Sequence, residues 1–175
     1  KNKPSYLRIT GEPGLNPIPI NKLIDEENLI FEISNGSEII VLTSGSISSF
    51  VFKAHNLLDS DLRAKVGIYG INKISPLKLD IIKDRLDKAD HILIFEEGIE
   101  NGFYGQFLIN YPELASKSSA NCHPKEFLEC GTYLHMLRQA NLDEVSIFST
   151  MILYHLFTKK KLTRLSKERQ EEDQH

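Results

Sequence analysis

The stretch His91-Ile-Leu-Ile-Phe-Glu-Glu-Gly-Ile-Glu-Asn-Gly-Phe-Tyr-Gly105 decides the fold class. Its first part, 92–95, is an unbroken apolar run that is too short for a helix, and it predicts a strand buried on both faces, as in parallel sheets. Two carboxylates, Glu96 and Glu97, stand where that strand should end, and a glycine-rich turn leads from them into a helical apolar spacing. A strand, an acidic turn and a helix make half of a β-α-β unit.

The segments before this stretch repeat the alternation of strand and helix. Residues 38–42 and 64–71 are apolar runs rich in β-branched side chains, and they predict two further central strands. Between them, apolar residues at three- and four-residue spacing over 47–58 predict a helix, which Ser44 or Ser46 would cap. The pair Ser75-Pro76 predicts the start of another helix, because serine caps helices and proline suits the first helical position.

The segments after this stretch predict two more helices, at 131–140 and from Asp143 to about residue 157. Alternating strands and helices pack as a parallel sheet between two helical layers. We therefore predict a three-layer α/β/α fold with a mainly parallel sheet of about five strands and one antiparallel edge strand.

Shorter signals complete the prediction. Residues 15–28 carry prolines and predict irregular structure, and Asn35-Gly36 predicts a hairpin-type turn after a short strand at 29–33. The strand at 6–9 has no helix after it, so it suits the antiparallel edge. From residue 159 the chain is almost entirely polar or charged, which predicts a frayed helix or a disordered tail.

Composition excludes several classes of protein. The 175 residues fit one domain with a sizeable core, and a net charge of -3 gives no electrostatic reason to expect nucleic acid or an anionic membrane as partner. No apolar stretch approaches the roughly 20 residues of a membrane span, and no secretory signal is visible. The two cysteines lie outside any disulfide pattern, so we expect a cytoplasmic protein. Because the chain begins at Lys1, we expect an excerpt from a longer one.

Three loops follow the carboxyl ends of predicted parallel strands, and we call them the crest loops: 43–46, 72–75 and 96–102. The first holds Ser44, Gly45 and Ser46 and leads into a helix N-terminus, a place that favours anions. It has neither the Gly-Lys-Ser/Thr of a Walker loop nor the three glycines of the dinucleotide fingerprint, so a plain helix cap is the simpler interpretation.

Glu96 and Glu97 have the residue type of a paired general acid and base. Neighbouring residues on a strand point to opposite faces, so only one of them should face any given pocket. We favour the alternative that one carboxylate accepts backbone N–H groups at the start of the following helix.

Two further sets of residues are candidates for chemistry. Cys122, His123, Cys130 and His135 are metal-ligand types, but their spacing matches no usual zinc pair, and we predict no metal. Arg8 ends a short strand before a glycine turn. It either holds a phosphate or carboxylate with its planar guanidinium group or forms a salt bridge on an edge strand.

Several ordered motifs together resemble a known domain. They are Glu38-Ile-Ile-Val-Leu-Thr-Ser-Gly-Ser46, Ile74-Ser-Pro-Leu77, Ile92-Leu-Ile-Phe-Glu-Glu-Gly98, Asn101-Gly-Phe-Tyr-Gly105, Pro124-Lys-Glu-Phe127 and Gln139-Ala-Asn-Leu-Asp143. From about residue 38 to about residue 158 the chain resembles the C-terminal domain of the transketolase family. That family includes transketolases, 1-deoxyxylulose-5-phosphate synthases and the β subunits of 2-oxoacid dehydrogenases.

The resemblance implies a division of the chain and a role for it. Residues 1–37 would be the end of a preceding domain and a linker, 38–158 the transketolase C-terminal-like domain and 159–175 a charged tail. Arg8 matches a position at which the family contacts a sugar phosphate. The family's Gly-Asp-Gly and Asn-Asn segment for magnesium and thiamine diphosphate is absent. The resemblance therefore implies a structural and dimer-forming part of a thiamine diphosphate enzyme, inactive alone, whose partners are the remaining domains or subunits and a second copy.

Two other hypotheses share this fold. The chain could be an independent α/β module that binds a small ligand or nucleotide at the crest loops, or an interaction subunit of a split enzyme. Fold alone does not choose between them, because one fold serves many functions.

Overall fold

The computed structural model describes residues 18–157 apart from residues 100 and 127. The strands of this part are β1 (Lys22–Asp25), β2 (Ile30–Ser34), β3 (Ile39–Thr43), β4 (Val66–Ile71), β5 (His91–Ile99) and β6 (Ser118–His123). The helices are α1 (Ile47–Leu57), α2 (Ser60–Lys65), α3 (Lys83–Lys88), α4 (Phe103–Asn110), α5 (Tyr133–Gln139) and α6 (144–157), with short 3-10 helices at Asp80–Ile82 and Pro112–Lys117. The predicted strand at 6–9 and the tail from 159 lie outside the described residues.

The strands form one sheet in the order β1-β2-β4-β3-β5-β6. Strands β4, β3, β5 and β6 run parallel, whereas β2 pairs antiparallel with β4, and β1 pairs antiparallel with β2. The predicted α/β fold with a mainly parallel sheet and an antiparallel edge is confirmed. The edge differs in one respect, because its described part has two antiparallel strands where the sequence predicts one.

The central strands β3 and β5 contribute side chains to the apolar cores on both faces of the sheet. All five residues of β3 are buried, and so are residues 92–96 of β5. Helices α1, α5 and α6 contribute to the apolar core on one face of the sheet, and α3 and α4 contribute to the core on the other. Because successive residues of a strand point to opposite faces, unbroken apolar runs serve both cores at once.

Two turn signals in the antiparallel part have other roles than predicted. Residues 15–28 are not wholly irregular, because β1 forms there and pairs with β2 through a turn at 26–29. Asn35-Gly36 does not close a hairpin, because β2 pairs with β4 and not with β3. A Cβ on Gly36 would lie 2.3 Å from backbone atoms of Val66. Glycine is needed here for the close approach of two backbones.

Helix starts are predicted with mixed success. The Ser75–Pro76 bond is cis, and no helix begins there; a 3-10 turn at Asp80–Ile82 leads into α3 instead. Helix α6 follows Asp143 as predicted, and the Asp143 carbonyl accepts the N–H of Ile147. Within residues 18–157, no helix combines the length and the apolar composition that crossing a membrane requires.

Candidate functional site

The described residues of the three crest loops lie at the carboxyl ends of the parallel strands, as predicted, although β5 extends through Glu96 and Glu97 to Ile99. Strands β3, β4 and β5 are parallel and in register, and Thr43 pairs with both Gly70 and Phe95. In sheets of this kind ligands bind where neighbouring strands lead to helices on opposite faces. Here β3 leads to α1 on one face and β5 leads to α4 on the other, so this switch point lies between the first and third crest loops.

Glu96 holds the start of α4. Its side chain is 4% exposed, and its two carboxylate oxygens accept the N–H of Phe103 at 2.7 Å and the N–H of Tyr104 at 2.9 Å. The first N–H groups of a helix have no acceptor within it, and the helix dipole favours a negative charge beside them. The prediction that one carboxylate of the pair accepts N–H groups of the following helix is confirmed.

The glycines of the acidic turn make room for this carboxylate. A Cβ on Gly102 would lie 2.5 Å from Oε2 of Glu96, and a Cβ on Gly98 would lie 3.0 Å from the same atom. Contacts as short as the first would force the carboxylate to move. The glycine-rich character of this turn is therefore explained by packing around an internal carboxylate.

Glu97 reaches to the opposite face, between α1 and α5. Its Oε2 accepts the hydroxyl of Tyr133 at 2.8 Å and also accepts the hydroxyl of Ser46. Tyr133 is the first residue of α5, and its ring packs edge-on against Phe50 of α1, with 6.2 Å between the ring centroids. We call Ser46, Glu97 and Tyr133 the switch-point cluster, because they join the first and third crest loops to α5.

The switch-point cluster joins the first and third crest loops by side-chain hydrogen bonds. Ser46 is the N-cap residue of α1, but its side chain makes no capping bond because its hydroxyl donates to Glu97. Glu96 and Glu97 lie on opposite faces, so they do not form an acid–base pair. Tyr133 is not among the sequence candidates, since it lies 36 residues from Glu97 and no local spacing connects them.

A cavity of about 300 Å³ opens beside the first crest loop and shares Ser46 with the switch-point cluster. The apolar side chains in its wall are Ile18, Ile20, Phe31 and Ile33; the other lining residues are Gly45, Ser46, Ser48, Ser49, Gly70 and Asn72. Gly45 has a φ of +65°, and a Cβ there would meet nothing within 4 Å. Of the predicted crest residues, Gly45 and Ser46 line this cavity, whereas Ser44, Glu96 and Glu97 do not.

A second buried polar cluster joins β2, β4 and α3, and sequence reasoning missed it. Tyr69 is fully buried, and its hydroxyl donates to Glu32 at 3.4 Å and accepts from Arg85 at 2.6 Å. Arg85 also lies 3.3 Å from the Glu32 carboxylate. Burial raises the pKa of Tyr69 above its ordinary value of 10.0. The only sequence signal is a single acidic residue, Glu32, inside a short apolar strand.

The remaining candidates divide between the described and the undescribed residues. Arg8 lies outside the described residues. Cys122 is half-buried, and Cys130 is exposed. In the part of the chain that the structure describes, no three His, Cys, Asp or Glu side chains are placed to hold a metal ion.

Comparison with known proteins supports the fold. No protein-family model and no curated protein matches the sequence. The backbone is similar to that of a solved structure described as "Split gene transketolase, inactive beta4 tetramer", with a TM-score of 0.65 and 10% sequence identity. The match covers 81% of this chain and 46% of that one, so this chain spans about half its length. The chain therefore has a transketolase-like fold.

Proposed function

We propose that the chain is the C-terminal domain of a thiamine diphosphate-dependent transketolase-like enzyme, or a separate subunit equivalent to that domain. The observation that carries the proposal is the backbone similarity to a split-gene transketolase over 81% of the chain. The order of motifs from residue 38 to residue 158 supports it independently of the coordinates. The description of the similar protein as split favours the version in which this chain is a subunit.

In this proposal the chain supports its partners and does not carry the reaction. The conspicuous acidic residues of the crest loops make internal hydrogen bonds: Glu96 to the start of α4, and Glu97 to Ser46 and Tyr133. Thiamine diphosphate and magnesium would bind to the remaining domains or subunits, where the cofactor supplies the bond-making chemistry. The chain would also contribute to a homodimer of the assembled enzyme.

Titration calorimetry with thiamine diphosphate and magnesium tests this division of roles. We expect no binding to the chain of residues 1–175 alone. We expect binding to the full-length gene product, or to the complex that co-purifies with the tagged chain. Cofactor binding or turnover by residues 1–175 alone would contradict the proposal. Sedimentation of the assembled enzyme as a species with a single copy of this chain would contradict the homodimer.

Arg8 gives a residue-level test in the assembled enzyme. A guanidinium group that binds a phosphate directly contributes roughly 1.5–3 kcal/mol, so Arg8→Ala is expected to raise KM for a sugar phosphate about tenfold or more. The matched control is Arg138→Ala, because Arg138 is an exposed residue of α5 outside the crest loops. Equal effects of the two substitutions, or an equal effect of Arg8→Ala on phosphorylated and unphosphorylated substrates, would contradict a phosphate contact.

A further inference from the structure

The cavity beside α1 has the size of a small-molecule site. Its volume of about 300 Å³ lies at the lower end of the range for ligand pockets, roughly 300–1,000 Å³. Ser46, Glu97 and Tyr133 are joined by hydrogen bonds at the switch point. The cavity lies on the β2 side of α1, between the first crest loop and Asn72 of the second.

One side of the cavity is suited to an apolar group. Ile33 is 6% exposed and forms part of the core, whereas Ile20 is 52% exposed at the cavity wall. Gly70 lies opposite Phe31 in the sheet, and a Cβ on Gly70 would be 3.6 Å from Ile33 and 3.9 Å from Phe31. The space above Gly70 is therefore open to a ligand, which would also cover the exposed part of Ile20.

The other side offers hydrogen bonds without a full charge. It is formed by the first turn of α1, with Ser46, Ser48 and Ser49, and by Asn72. In the first turn of α1 the N–H groups of Ser48 and Ser49 already donate to backbone carbonyls, and the Ser49 hydroxyl donates to the Ser46 carbonyl. The side-chain amide of the exposed Asn72 is therefore the donor that a ligand meets here, and the positive end of the helix disfavours a cation. An anion is disfavoured as well, because no Lys or Arg is among the described residues that line the cavity, and Glu97 already holds the hydroxyl of Ser46. A neutral hydrogen-bond acceptor avoids both the cost of a cation and the cost of an anion at this site.

We propose that this cavity binds a small neutral molecule that carries an apolar ring or short aliphatic group and one hydrogen-bond acceptor. The apolar group lies over Gly70 against Phe31 and Ile33, and the acceptor faces the side-chain amide of Asn72. This site goes beyond the supporting role proposed above and does not depend on it. The chain binds the molecule in the absence of any thiamine diphosphate-binding partner.

Three probes of nearly equal size and different charge test the proposal: benzamide, benzoate and benzylamine. Each is titrated into ¹⁵N-labelled chain, and amide chemical shifts are recorded. We expect benzamide to shift the amides of Gly45, Gly70 and Asn72 and to bind about tenfold more tightly than either charged probe, because an unpaired charge is costly to bury. Equal affinity for benzoate, or shifts that centre on other residues, would overturn the proposal.

Two substitutions make the test specific to this cavity. Gly70→Val fills the space above the sheet and is expected to weaken benzamide binding about tenfold or more. The control, Ala64→Val, adds two methyl groups in a different surface cavity, beside Asp59 and Ile152, and should leave binding unchanged. Unaltered binding to Gly70→Val would overturn the proposal.

A third substitution remains informative if Gly70→Val does not fold. Ile20→Lys places a positive charge at an exposed position of the cavity wall, so it should leave the core intact. We expect the preference to move from benzamide toward benzoate, since the anion then has a partner. An unchanged order of affinities would show that the probes bind elsewhere.

Discussion

Replacing Gly102 with alanine tests whether the acidic glycine-rich turn serves the fold. The new Cβ would lie 2.5 Å from Oε2 of Glu96, the oxygen that accepts the N–H of Phe103. It would also lie 3.1 Å from the carbonyl oxygen of Ile99, a backbone atom that cannot rotate aside. The buried carboxylate must therefore move, and it loses at least the hydrogen bond to Phe103.

The size of the effect follows from this lost bond. A hydrogen bond to a charged group contributes about 1.5–3 kcal/mol, and alanine is also a poorer N-cap than glycine. We expect Gly102→Ala to lower the free energy of unfolding by about 2–3 kcal/mol, which moves the urea midpoint by about 1 M or more. The control is Gly98→Ala, whose Cβ would lie 3.0 Å from the same oxygen and near no backbone atom, and which should cost less than half as much.

A double-mutant cycle with Glu96→Gln separates the proposed cause from other effects. Glutamine keeps the size of the side chain but removes the charge and one of the two acceptors, so it weakens the same interaction that Gly102→Ala breaks. The two losses of unfolding free energy should therefore not add. The loss in the double mutant should be smaller than the sum of the two single losses by about 1 kcal/mol or more. Additive losses, or equal losses for Gly102→Ala and Gly98→Ala, would refute the reasoning.

Three further predictions concern the polar clusters and one buried histidine. Tyr133→Phe removes the 2.8 Å bond to Glu97 and should cost about 1 kcal/mol by urea unfolding; an unchanged midpoint would show that the cluster does not hold α5. Burial lowers the pKa of His55 below its ordinary 6.5, so the unfolded chain binds a proton first and stability should fall as pH drops below 6.5. His55→Asn should reduce that fall, and an equal fall in both proteins argues against His55 as its source. Arg85→Met leaves the carboxylate of Glu32 buried without its cation and should cost about 1–3 kcal/mol; Glu32→Gln in the same chain should recover part of this loss, and no recovery would contradict the pairing.

The fold could be predicted because its decisive signals are local in sequence. The unbroken apolar runs of β3 and β5 each fit a strand covered on both faces, and the three–four spacing of α1 fits a helix with one buried side. Parallel strands then require helical connections, and these connections bring the carboxyl ends of all the parallel strands to the same end of the sheet. The capping role of Glu96 could be predicted for the same reason, since Phe103 is only seven residues away.

The parts that could not be predicted depend on contacts between distant segments. Tyr133 meets Glu97 across 36 residues, and Tyr69 meets Glu32 across 37. The pair Asn35-Gly36 predicts a turn, but the structural reason for Gly36 is its close approach to the backbone of Val66. A single sequence records that a glycine or a tyrosine is present, but it does not record which distant atom requires it.

The hydrogen bonds of the crest loops bear directly on the proposed function. A catalytic carboxylate must be able to exchange its partners for a substrate. Both oxygens of Glu96 hold the start of α4, and one oxygen of Glu97 holds Ser46 and Tyr133. A substrate that displaced these donors would release the start of α4 or separate α5 from the sheet, at a cost to stability each time. Such residues are suited to fixing helices at the carboxyl ends of the strands, which agrees with the supporting role proposed above for this chain.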